Sequence, residues 1–363
     1  MTAIVEERTP EAVIGQLVTE LGGSLGVLLT SLGTRTGLWA ALAGAGPLSP
    51  AALAERTGCN PVLVREWCRA QAAGGYLTYA PEDETFVLPD AVAGALLHGP
   101  GAAMVEACTE MFSSLGAGFD VFAAAFGAGE GFGWHRHDAQ FWHGSDALTR
   151  VALPDALIGA VLDQLGPAAA ALRTGATAVD VGCGYGTPTI AVARHFPASR
   201  VLGVDYHDAS VAHARSAAER AGVADRVRFE VGAAADLPGS GYALVTFFDS
   251  LHDLGDPVAA LERAREVLAP GGAVLLVEPA AADRVEDNLT PMGRMFYAVS
   301  TLICTPNAVA QTVSPAASPA GPAPLGTQAG EELLRRTAAA AGFTRIRAVP
   351  VEAPLNLVLE LRA

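Results

Sequence analysis

Three glycines fall at alternate positions in Ala178-Val179-Asp180-Val181-Gly182-Cys183-Gly184-Tyr185-Gly186. An apolar run precedes them and a helical pattern follows. Glycine lets the backbone turn tightly and approach a ligand with no Cβ in the way. The free N–H groups of the following helix add donors at the same place. Asp205 ends the next apolar run, about 20 residues beyond the loop, where a carboxylate can accept both ribose hydroxyls of a nucleoside. A second chemical pair, His252-Asp253, follows the apolar run 243–248. An imidazole with a reference pKa of about 6.5 can take a proton near neutrality. Asp249, Asp253 and Glu278 are the carboxylates that can orient it. The third segment is GFGWHRHDAQFWHG at 131–144. Trp134, His135, His137, Phe141 and Trp142 supply rings for stacking on an apolar or planar acceptor. Gly127, Gly129, Gly131 and Gly133 predict a flexible approach, and the segment reads as a substrate lid on a loop. His135, His137, Asp138 and His143 are metal-ligand types, but pocket lining is the preferred role.

The elements that must position these groups follow from periodicity. Strand patterns at 176–183, 200–205, 227–232, 242–249 and 272–278 alternate with helical patterns at 187–195, 209–221 and 256–268. Such alternation predicts an α/β fold with a mostly parallel, doubly wound sheet whose strand ends face a ligand crevice. A helix at 331–341 and strands at 344–349 and 355–361 close the chain. Upstream, apolar residues at helical spacing over 11–45 predict two helices separated by Gly22-Gly23. Ser49-Pro50 reads as an N-cap with proline in the first turn, and Pro61 opens a second helix after the turn 57–60. With a hairpin around Pro81-Glu82-Asp83-Glu84, they make a winged helix. Three parts result: a winged-helix dimerisation domain at 1–99, a helical linker and lid at 100–172, and a catalytic domain at 173–363. The Pro/Ala/Ser/Gly-rich run 312–326 reads as a linker or mobile loop.

Composition narrows the chemistry. The 23 basic residues are all arginine and face 38 acidic ones, for a net charge of −15. With no lysine, Schiff-base, pyridoxal-phosphate and P-loop chemistry are excluded. Nucleic acid is disfavoured as a partner, because phosphate contacts supply most of that affinity. The would-be recognition helix offers only Arg65 and Arg69, with Glu66 between them. Five scattered cysteines without a C-x-x-C pair suit a reducing interior. The acidic N-terminus and the lack of an uncharged apolar run of about 18 residues predict neither leader nor membrane span, hence a cytoplasmic protein.

The spacing Asp180-x-Gly182-x-Gly184-x-Gly186 differs from the dinucleotide G-x-G-x-x-G. It resembles motif I of the class I S-adenosylmethionine-dependent methyltransferases. VLGVDYHDASVAHA, VRFEVGAAADLP, ALVTFFDSLHDL and LAPGGAVLLVEP follow in the order of that family. The winged helix and the LHD after the fourth strand resemble the small-molecule methyltransferases of secondary metabolism, over nearly the whole chain. The resemblance implies a Rossmann-like seven-stranded sheet, S-adenosyl-L-methionine as cofactor, a small organic acceptor and a homodimer. It places Asp180, Gly182, Gly184, Gly186, Asp205 and Asp249 with the cofactor, and Tyr206 beside the adenine. Ala233 stands where the family often carries an adenine-binding Asp, leaving the Ala234 N–H or Asp236 to serve. His252, with Asp253, becomes the general base of an O-methylation. Two alternatives stay open. Some related enzymes C-methylate α-keto acids held on a divalent metal by a His-Asp pair and a distant His. No His follows His252, and Cys304 lies in the region of that third ligand. Other relatives use the bound sulfonium in cyclase or pericyclase reactions without methyl transfer.

Overall fold

Thr9 accepts a hydrogen bond from the Ala12 N–H and Pro10 occupies the first turn, so a helix starts there and runs from Pro10 to Arg35. The computed structural model describes residues 8–311 and 324–363. Most of the expected 312–326 linker lies outside the described residues. The N-terminal helix is continuous where the sequence predicted a break at Gly22-Gly23. Each glycine costs about 1 kcal/mol in a helix, but both sit among good helix formers, and a Cβ at either would meet nothing. At 26 residues, with a mean hydropathy of 1.5 over its best 18-residue window, the helix is long and apolar enough to cross a membrane. That corrects the expectation of no such segment. The sequence reading counted only uncharged runs.

Ser49 caps the helix Pro50–Thr57 as the sequence predicts, and Asn60, at the end of the expected turn, caps Pro61–Ala73. Strands β1 (Thr78–Ala80) and β2 (Thr85–Val87) pair antiparallel as the wing. Trp39, Leu42, Leu53, Trp67 and Phe86 fill this domain's core.

The chain divides into two compact units. One comprises residues up to Ser113 with His143–Val151; the other comprises Ser114–Trp142 with the chain from Ala152 onward. The stretch 100–172 is therefore shared between the units. The second unit holds seven strands: β3 (Thr177–Val181), β4 (Arg200–Asp205), β5 (Val227–Val231), β6 (Tyr242–Phe248), β7 (Leu268–Pro279), β8 (Arg345–Ala348) and β9 (Asn356–Arg362). Their order is β5-β4-β3-β6-β7-β9-β8. The first five are parallel and β9 is antiparallel to both β7 and β8. Strand order reverses between β3 and β6, and a crevice opens at their carboxyl ends. Strand β6 is buried along its whole length, as expected of a central strand covered on both faces.

Candidate active site

The glycine loop leaves β3 through two left-handed residues that side chains would obstruct. Gly182 has φ +70, and a Cβ there would lie 2.7 Å from that of Ser250. Gly186 has φ +83, and a Cβ would meet Phe229 at 2.7 Å. Gly184, between them at φ +50, faces open space: a Cβ there would meet nothing within 4 Å. Its N–H donates to Asp205 Oδ2 at 2.8 Å, and His207 N–H donates to Oδ1 at 2.9 Å. The carboxylate at the end of β4 is thus fastened to the bend after β3. Burial pushes its pKa up, while the two backbone donors pull against that rise.

Asp180 lies under the loop, between the hydroxyls of Thr189 at 2.5 Å and Thr246 at 2.8 Å. Burial raises its carboxyl to about 7. Asp249 follows β6 with φ +48 and accepts from Asn356 Nδ2 at 3.0 Å. Burial, then the neighbouring Glu278, raises it to about 7. Ala234 opens the short turn Ala234–Asp236 after β5.

His252 sits in the turn Leu251–Asp253 after β6, and only 4% of it is exposed. Glu278, near the end of β7, accepts from the Leu251 N–H at 2.9 Å and holds His252 Nδ1 at 2.5 Å. One carboxylate therefore fixes both the turn and the ring, leaving Nε2 for chemistry. Nε2 lies 3.4 Å from Asp253 Oδ1, which has no hydrogen-bond donor among the described residues. Burial opposes charge on the ring. Asp253, Glu278 and the thiol of Cys304 outweigh it and hold the ring's pKa well above its ordinary value. One ligand atom from each of His252, Asp253 and Cys304 lies within 4.8 Å of the others. The three form the one such metal-capable trio among the described residues. The metal-ligand types at 135–143, read as pocket lining, form no such group among the described residues.

Segment 131–144 departs from its loop assignment. Trp134–Arg136 is one turn of 3-10 helix, and Ala139–Ala152 is an α-helix carrying Phe141, Trp142 and His143. Gly131 is a point of close packing rather than a hinge, since a Cβ there would lie 2.1 Å from Ala310 N. Phe141 is fully buried, and His137 stacks on it at 3.9 Å. Trp134, His135 and Trp142 gather around Tyr206 and His207. The Trp134 N–H donates to Tyr206 Oη at 2.9 Å, Trp142 Nε1 donates to the Trp134 carbonyl, and the Trp142 ring lies 4.4 Å from that of His207. The ring of His135 is 6.4 Å from Tyr206.

Asn307 was missing from the sequence reading. Its Oδ1 accepts from Tyr206 Oη at 2.8 Å and from the Trp134 N–H at 2.9 Å, and Nδ2 donates to the Asp253 carbonyl. The helix Thr305–Gln311 thereby ties the aromatic segment to the His252 turn. The only signal was its place beside Cys304 in STLICTPN.

Residues 172–335 match a methyltransferase domain family, and residues 23–98 match the Rv2258c-like winged HTH domain. Residues 172–335 therefore carry a methyltransferase domain. Among curated relatives, this methyltransferase is 29% identical over 201 residues to 27-O-demethylrifamycin SV methyltransferase of Amycolatopsis mediterranei, covering 52% of the chain and 69% of the relative. It is 37% identical over 101 residues to trans-aconitate 2-methyltransferase of Paracidovorax citrulli, over 28% and 38% of the two chains. Its fold is shared with mitomycin 7-O-methyltransferase (TM-score 0.63, 19% identity, 97% and 98% covered). Human N-acetylserotonin methyltransferase, solved with S-adenosylmethionine, superposes with a TM-score of 0.64 at 16% identity, with 99% of each chain covered.

Proposed function

We propose that this methyltransferase moves the methyl group of S-adenosyl-L-methionine to an oxygen of a small organic acceptor, as a cytoplasmic homodimer. The observation that carries the reading is Asp205, bonded to the Gly184 N–H beneath open space above that glycine. This carboxylate stands at the carboxyl end of β4, where a doubly wound sheet receives a nucleoside. Asp205, Asp249, Asp253 and Glu278 crowd the strand ends, and no arginine bonds to any of them among the described residues. Such a field suits a cation. The cofactor supplies an electrophilic methyl on a sulfonium that departs as a thioether. Glu278 holds Nδ1 of His252, so Nε2 takes the acceptor's proton as its oxygen becomes a nucleophile. Asn307 and Tyr206 hold Trp134 beside this centre as acceptor wall. The 27-O and 7-O in the names of the rifamycin and mitomycin enzymes support oxygen as the methylated atom. The five cysteines are free, which suits a reducing compartment.

Calorimetric titration with S-adenosylhomocysteine tests this. Wild type and His252→Ala bind it, and Asp205→Asn binds it roughly 10–100-fold more weakly, the loss of a hydrogen bond to a charged group. No affinity in the wild type sinks the reading.

The trio His252, Asp253 and Cys304 favours a second reading, metal-assisted C-methylation of an α-keto acid. The bare Asp253 Oδ1 and a mixed N/O/S donor set fit a divalent transition metal or zinc. These residues would hold an ion able to polarise a keto oxygen. Retention of one metal equivalent after dialysis, lost in Cys304→Ala, supports that reading. A metal-free wild type after zinc loading and dialysis removes it.

A further inference from the structure

The second unit contains a pocket of about 220 Å³, lined in part by Ser114, Leu115, Phe122, Phe132, Arg136 and His137, to which neither the proposed cofactor residues nor His252 contribute. Its floor is aromatic: Phe122 and Phe132 meet edge to face with centroids 5.9 Å apart. The guanidinium of Arg136 lies over Phe132, 4.4 Å from the ring centre. Among the described residues no carboxylate pairs with Arg136; its one hydrogen bond, at 3.5 Å, goes to the Gly131 carbonyl. Asp138 also lines the pocket, but its carboxylate is engaged in capping the next helix, where it accepts from the Phe141 N–H at 2.9 Å. His137 is 8% exposed, and its Nε2 is buried without a partner. The pocket thus combines an aromatic floor, a guanidinium with no ion pair among the described residues, and a ring nitrogen without a partner.

We propose that this pocket binds a single-ring aromatic carboxylate, the ring lying on Phe122 and Phe132 and the carboxylate paired with Arg136. A guanidinium and a carboxylate match in a two-point geometry that a neutral amide cannot reproduce. The volume of about 220 Å³ admits a single aromatic ring. The net charge of −15 opposes unspecific uptake of anions, so binding here reports a local site. The pocket shares segment 132–137 with the acceptor wall, because the Trp134 N–H bonds to Tyr206 and Asn307. On the proposed methyl transfer, the acid group of an aromatic acceptor anchors in this pocket. Binding itself needs no such reading.

The test is calorimetric titration of the full chain with benzoate and with benzamide, in wild type and Arg136→Gln. Benzoate binds the wild type at least about tenfold more tightly than benzamide, and Arg136→Gln abolishes that difference. Equal affinity for the two probes, no binding of either, or an unchanged preference in Arg136→Gln overturns the proposal. S-adenosylhomocysteine is titrated into the same Arg136→Gln sample. Its retained affinity shows a folded protein and separates failure of this pocket from failure of the cofactor reading.

Discussion

At the scale of residues, one carboxylate governs His252, the proposed base. Glu278 raises the proton affinity of His252 and fixes its ring, so it is a positioning residue. Glu278→Gln removes a negative charge and lowers the ring's pKa. The rising limb of the pH profile of kcat/KM therefore moves to lower pH, by about one unit or more, while its plateau falls. An unmoved profile argues that the ring is not the titrating base. His137 behaves oppositely. Burial, then Arg136 and His135, depress it from 6.5 to about 4 against the pull of Asp138. The folded protein binds fewer protons there than the unfolded chain. Its contribution is complete above pH 6.5 and disappears as pH falls toward 4, by up to about 3 kcal/mol. Urea unfolding of wild type against His137→Phe across pH 4–7 checks this. The variant loses that part of the acid sensitivity. Asp205, His252 and the three glycines stand out in the sequence as site candidates because of their types and spacing. Glu278 showed only as one of three nearby acids, and Asn307 not at all. Long-range pairing across 26 and 101 residues leaves no local pattern.

At the scale of elements, the glycine loop separates two effects. A side chain at Gly186 collides with Phe229, so Gly186→Val lowers stability by roughly 2 kcal/mol or more through strain and overpacking. A methyl at Gly184 enters open space, so Gly184→Ala costs about 1–2 kcal/mol for its left-handed backbone. Its main effect is to block the approach of the cofactor. Melting curves with and without S-adenosylhomocysteine distinguish them: Gly184→Ala stays folded and loses the ligand-induced rise in Tm. A preserved rise contradicts the placement. The strands of the sheet were legible because buried parallel strands read as continuous apolar runs flanked by turns. The aromatic segment misled because its glycines imply freedom in sequence, whereas Gly131 admits close packing against Ala310 in the fold.

At the scale of the whole molecule, the N-terminal helix carries an unpartnered stripe. Ile14, Val18, Leu21, Leu25, Leu28 and Leu32 are all exposed and recur at alternating spacings of four and three. That is the seam of a two-stranded coiled coil. With the Rv2258c-like winged domain beside it, the stripe supports a second copy of the chain as the partner. Light scattering then shows a dimer that Leu21→Asp/Leu25→Asp reduces to a monomer. A monomeric wild type, an unaffected dimer, or a wild type that sediments with lipid vesicles contradicts this and favours the membrane option the helix's length allows.

The most direct measurement for the central claim is a crystal structure with S-adenosylhomocysteine. The ribose hydroxyls are expected within hydrogen-bonding distance of Asp205, the amino-acid portion by the 182–186 bend, and the sulfur on the side of His252. A nucleoside bound elsewhere, or one that leaves Asp205 untouched, contradicts the claim.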